Sequence, residues 1–284
     1  MINNTVLMVI GKDASKDVLA RQFETLRAMP ARAAVLVVAE VPNFPYYAVG
    51  IPPYGSIVLP ADWQEEMTGQ KKAIAAKEEE IEALLAEHDV SGEVMTVVCE
   101  PAMVSEAVGR RAMMCDMALV GDDLRASEAL YSKVVHGVLL QSPVGAVLNA
   151  ADAAPLAAPA CIMVAWNSHL NSASAVHQAL PLLKSAQKVI IASIDPVMTE
   201  QSDGEDPGVD VGKWLTHHGC SVEVQQFPSG GMSVGECILA RAKEAGADLV
   251  VMGSYGHSRA REAIFGGTTR TMIEQTSMPV FLGH

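Results

Sequence analysis

The sequence predicts an α/β fold: two tandem doubly wound parallel-sheet domains within one chain of 284 residues. Three observations carry this. Short apolar, β-branched runs alternate with amphipathic stretches, as expected of parallel strands covered on both faces by helices. The chain also repeats itself. Cys115-Asp-Met-Ala-Leu-Val-Gly121 has the pattern of Ala247-Asp-Leu-Val-Val-Met-Gly253, and Val104-Ser-Glu-Ala-Val108 that of Val234-Gly-Glu-Cys-Ile238. Copies offset by about 130 to 155 residues are domains, not solenoid units. Finally, the length accommodates about two domains, and a 50% hydrophobic content fills two cores.

In the first half, strands are expected at Thr5–Ile10, Ala33–Val41, Glu93–Cys99, Met117–Val120 and Gly145–Leu148. Helices are expected at Ser15–Met29, Asp62–Glu87, Met103–Met114 and roughly Tyr131–Gln141. In the second half the strands are Cys161–Trp166, Val189–Ile194, Val222–Phe227, Leu249–Met252 and Val280–Leu282. The helices there are Ser172–Ser185, Val209–His217, Val234–Glu244 and Thr268–Gln275. Residues 151–159, small and punctuated by prolines, read as a linker between domains at 1–150 and 160–284. Right-handed crossovers wind each half into a sandwich whose ligands sit beyond the carboxyl ends of the strands, where strand order reverses.

One such end is distinctive. The apolar run Leu249 to Met252 stops at Gly253; Gly256 follows after two residues, Gly266 after nine more, then Gly267, Thr268 and Thr269 open an amphipathic segment. This is a buried strand, a glycine-rich loop and a helix N-terminus. Glycine permits tight turns and close approach to a ligand, and the free amides and positive dipole end of a helix attract phosphate. The spacing is G-x2-G-x9-G. It is neither the Walker pattern nor G-x-G-x-x-G. Three of the second half's four arginines, Arg259, Arg261 and Arg270, fall in or just after this loop. They suit phosphate recognition or salt bridges equally well.

The pattern resembles the universal stress protein family, whose nucleotide-binding members carry G-x2-G-x9-G followed by Ser or Thr after the fourth strand. Through the repeat the resemblance extends across the chain. It implies an adenine nucleotide alpha-hydrolase-like, Rossmann-like fold and a stress-response role. It also implies an adenine nucleotide site for ATP, with ADP or AMP as alternatives, in the second half. By carry-over, the walls of that site are Ala165, Asn167, Met252, Gly253, Gly256, Gly266, Gly267, Thr268 and Thr269. Two positions depart from the pattern: Asn167 stands where the family has the Asp that meets the nucleoside, and Gly267 where it usually has Ser. Neighbouring Trp166 either stacks on a base or fills the core. The resemblance implies pairing through last strands, here Gly145–Leu148 with Val280–Leu282 inside one chain, and homodimers.

The first half lacks this loop. Gly121 survives, but Leu124 takes the second glycine's place and no glycine comes nine residues later. Asp122, Asp123 and Glu128 would repel a polyphosphate; the two aspartates read as solvated loop acids, and the half as a degenerate copy.

A net charge of −13 argues against general binding to nucleic acid or anionic membrane. No apolar run reaches the roughly 18 residues of a spanning helix. The N-terminus lacks the order of a secretory signal. The five cysteines contain no C-x2-C pair, so the reading is a reducing cytoplasm without metal or disulfides. No nucleophile, base and orienter come together, and His257 in the loop stands alone, so chemistry is at most slow ATP hydrolysis. A second function stays open: a nucleotide-free scaffold working through protein contacts. The loop from Pro42 to Pro60, with Tyr46, Tyr47 and Tyr54, would face a regulatory protein partner.

Overall fold

A computed structural model describes residues 4–42, 60–199, 202–254 and 266–284. In chain order the elements are β1 (Asn4–Ile10), α1 (Lys16–Ala28), β2 (Ala31–Glu40), α2 (Ala61–Glu87), β3 (Gly92–Cys99), α3 (Val104–Ala112), β4 (Met117–Val120), α4 (Glu128–Gln141) and β5 (Ala146–Leu148). The second half follows with α5 (Ala154–Ala157), β6 (Cys161–Ala165), α6 (Leu170–Gln178), α7 (Leu180–Ser185), β7 (Lys188–Ile194), α8 (Val209–His217), β8 (Val222–Phe227), α9 (Val234–Glu244), β9 (Leu249–Gly253), α10 (Gly267–Glu274) and β10 (Val280–Gly283).

All ten strands form one sheet in the order β3-β2-β1-β4-β5-β10-β9-β6-β7-β8. Every neighbouring pair is parallel except β5 with β10, which run antiparallel with Val147 opposite Phe281. Each half therefore reverses its strand order between its first and fourth strands. The last strand of one half covers the edge of the other.

Alternation along each strand feeds two cores. On β1, Val6, Met8 and Ile10 face α1 and α2, while Leu7 and Val9 face α3 and α4. In the second half, α6, α7 and α8 cover one face and α9 and α10 the other. Burial on both faces is why these strands read as continuous apolar runs.

Two helix expectations are corrected, and the linker gains detail. The single helix over 172–185 is two: α6 ends at Gln178 and α7 restarts with Pro181 in its first turn. Proline has no amide for the helical ladder and crowds the preceding turn, so it breaks the helix but suits the start of the next. Helix α4 begins three residues early, at Glu128, because the Ser127 hydroxyl accepts a bond from the Leu130 amide at 3.3 Å and caps it. Residues 151–159 are no loose tether. They carry α5, whose Leu156 is buried between α1 and α7, and Gln22 in α1 donates to the Ala150 carbonyl at 3.0 Å.

Candidate functional site

A cleft of about 360 Å³ opens between the carboxyl ends of β6 and β9, at the switch in strand order. Ala165, Asn167, Met252 and Gly253 line it from the strand ends; Gly266, Gly267, Thr268 and Thr269 line it from the first turn of α10. Eight of the nine residues expected from the sequence thus meet in one hollow; Gly256 lies outside the described residues, as do His257, Arg259 and Arg261. Sequence reasoning missed Ser172, Ala192, Ile194, Val234 and Ile238, which also line the cleft. Their signal was positional: Ile194 ends the strand beside β6, and Val234 opens the helix that follows β8.

The α10 N-terminus is open. Gly266 at its N-cap is extended (φ −62°, ψ 156°) and no side chain caps the helix. The first helical bond runs from the Arg270 amide to the Gly266 carbonyl at 2.9 Å, so the amides of the first turn have no partner within the helix. Among the described residues nothing lies within 4 Å of where a Cβ would sit on Gly266 or Gly267. By contrast α9, entering the same side of the sheet, is closed by a capping box. The Ser233 hydroxyl accepts from the Glu236 amide, and the Glu236 carboxylate accepts from the Ser233 amide at 3.0 Å.

Gly253 has a second task. A Cβ there would meet the backbone of Asn171 and Ser172 at 2.6 Å, so glycine is what lets the first turn of α6 lie against β9. Ser254 is fully buried, with its hydroxyl donating to the Gly283 carbonyl at 2.9 Å. Asn167 is exposed, and its Oδ1 accepts from the Ser172 hydroxyl at 2.5 Å. The group it has left to offer is the Nδ2 donor. Trp166 packs against the core and also lines the cleft. Asp203 fastens the loops after β6 and β7 by accepting from the amides of Ser168 (3.1 Å) and Val197 (2.8 Å). Burial pushes its carboxyl up, but those amides prevail and hold it below the ordinary value. Arg270 pairs with Glu274 at 2.6 Å along α10 rather than facing the cleft.

The equivalent place in the first half is filled. The Asp123 carboxylate accepts from the Gly11 amide at 2.7 Å and packs where a Cβ on Gly11 or Gly121 would sit. The remaining hollow is about 230 Å³. Asp122 and Asp123 are therefore not solvated loop acids: both are half-buried, and burial pushes both carboxyls up. Arg125 from the same loop lies over the Tyr131 ring, 4.2 Å from its centre, and donates to Asn149 and to the Gln275 carbonyl at the end of α10.

Fold and cleft together define a doubly wound α/β protein with an open anion-sized hollow in one half and a plugged one in the other. Residues 161–282 match the universal stress protein family. A universal stress protein of Synechocystis sp. is 40% identical over 45 residues, a stretch covering 16% of this chain and 16% of that relative. The crystal structure of a universal stress protein from Archaeoglobus fulgidus superposes with a TM-score of 0.67 at 17% identity, covering 98% of this chain and 95% of that one. A putative universal stress protein from Pseudomonas aeruginosa gives a TM-score of 0.54 at 12% identity, covering 99% and 93%. At such identities the structural likeness speaks for the fold, which these proteins share. The family match thus lies in the second half of the chain, residues 161–282. Among the described residues no helix is long and apolar enough to cross a membrane.

Proposed function

We propose that this protein is a stress-response regulator that binds an adenine nucleotide, ATP with ADP or AMP as alternatives, in the cleft between β6, β9 and α10. The observation that carries this reading is the first turn of α10, which among the described residues no side chain caps and whose two glycines none crowds. An oligophosphate there would accept from the free amides and meet the positive end of the helix dipole. The cleft volume lies within the usual range for small-ligand sites, about 300–1,000 Å³. Asn167 would donate its Nδ2 hydrogens to a ribose oxygen. Any chemistry would be slow hydrolysis of bound ATP. The reading includes a cytoplasmic protein that forms homodimers and answers to a regulatory protein partner.

The test follows from the glycine environments. Gly253→Ala would disturb α6 and so report on folding. Gly266→Val meets no atom of the described residues, and its backbone angles suit any residue. Gly266→Val is expected to keep the melting temperature within about 2 °C and to abolish the calorimetric signal of millimolar ATP seen with the unaltered chain. No heat and no thermal shift from the unaltered chain with ATP, ADP or AMP would defeat the proposal.

One observation favours the second reading, a nucleotide-free scaffold. Large apolar side chains stand exposed at the carboxyl ends of the second-half strands: Leu170 (79%), Val197 (55%) and Met198 (57%). A rim of this kind fits a protein contact. Mass spectrometry of small molecules that copurify with the native protein separates the two readings. The tyrosine-rich part of the Pro42–Pro60 loop, invoked for a partner, lies outside the described residues.

A further inference from the structure

A second cavity lies on the other face of the sheet from the cleft, where the two halves meet. Its volume is about 600 Å³, larger than the cleft. Its walls are the starts of β1 and β4, the end of α1, the short helix α5, and α7 with the end of α6. Most of the lining is apolar: Val6, Met29, Met117, Leu156, Leu180 and Leu182. Val6, Leu156 and Leu182 are otherwise buried side chains whose outer surfaces form the floor.

The polar groups at its edge are not equivalent. The Asp116 carboxylate accepts from the Thr5 amide at 2.7 Å. The Gln178 amide donates to the carbonyls of Pro143 and His284, each at 3.1 Å. The His177 ring lies against Trp214, with centroids 4.6 Å apart. Lys184 is exposed and makes no ion pair among the described residues. Of the two formal charges lining this apolar hollow, the Asp116 carboxylate is held by an amide, whereas Lys184 has no hydrogen-bond or ion-pair partner among the described residues. We propose that this junction cavity binds a medium-chain monocarboxylate, its hydrocarbon chain on the floor and its carboxylate beside Lys184.

Magnitudes rank the contributions. Each buried methylene tightens binding by about three- to fourfold, whereas a solvent-exposed ion pair is worth about two- to fivefold. The chain should dominate affinity and Lys184 should set the preference for an anion. The site is independent of the nucleotide reading, because the cavity shares no residue with the cleft.

The test is calorimetry on the full chain with octanoate, decanoate and dodecanoate, each below its micelle concentration. Affinity is expected to rise about three- to fourfold per methylene, with decanol about two- to fivefold weaker than decanoate. Lys184→Met should remove that difference, weakening decanoate and leaving decanol unchanged. Ala157→Trp, a half-exposed wall position, should abolish binding while the melting temperature and any nucleotide signal stay as in the parent. Trp214 emission, next to His177, should change as the cavity fills. Affinity independent of chain length, decylamine binding as tightly as decanoate, or undiminished binding by Ala157→Trp would each overturn the proposal.

Discussion

Asp123 and Gly266 mark the difference between equivalent strand ends in the two halves. In the first half a carboxylate occupies the amide of Gly11; in the second a glycine leaves the helix amides bare. The filling has a cost that depends on pH. Burial raises the Asp123 carboxyl above its ordinary 3.8, so the folded chain holds its proton more tightly than the unfolded chain does. The penalty is absent below the unfolded value, grows as pH rises through the window between the two values, and is constant above it. Asp123→Asn keeps an acceptor for Gly11 without the charge. It is expected to be more stable than the parent at pH 7, by about 1 kcal/mol or less, with the advantage vanishing below about pH 4. Denaturant midpoints at the two pH values check this; an Asn variant less stable at both would contradict it.

At the scale of elements, caps distinguish α9 from α10. Helix α9 satisfies its own first turn through Ser233 and Glu236. Ser233→Ala is expected to cost about 1 kcal/mol in unfolding free energy, read as a lower denaturant midpoint, and to leave ligand binding intact. Helix α10 has no such closure, so a ligand at its start would satisfy amides that are otherwise left to water. The same logic explains the helix boundaries that sequence reading misplaced. Pro181 splits α6 from α7 inside a continuous amphipathic pattern, and Ser127 starts α4 before any apolar periodicity appears. Caps and breakers act through one or two backbone groups, which a periodicity averaged over turns does not weigh.

The whole molecule is one sheet because β5 and β10 pair antiparallel at its centre. Phe281 packs there against Gly145, where a Cβ would lie 2.2 Å from the ring. Asn149 donates to the Met278 carbonyl at 3.2 Å, and Arg125 reaches the Gln275 carbonyl. Separating the halves would expose two strand edges. Residues 160–284 produced alone are expected to self-associate through β10; light scattering should report a dimer that Phe281→Lys disperses. A monomeric, folded second half would show that the junction is dispensable.

By itself the sequence determined the strands, their alternation with helices, and the helix start at Gly267. These follow from local rules: period-two burial, apolar runs between turn residues, and glycine where space is needed. The positions of Ala165, Asn167, Met252 and Gly253 at strand ends were legible for the same reason, since a doubly wound sheet brings its carboxyl ends together. Only the tertiary structure decided which residues distant in sequence would touch. It placed the backbone of Asn171 against Gly253, the Asp123 carboxylate on the Gly11 amide 112 positions away, and Leu156 of the supposed linker in the core. It also formed a cavity from six elements of both halves. Such meetings depend on how whole layers pack, and no stretch of chain short enough to show a period contains both partners.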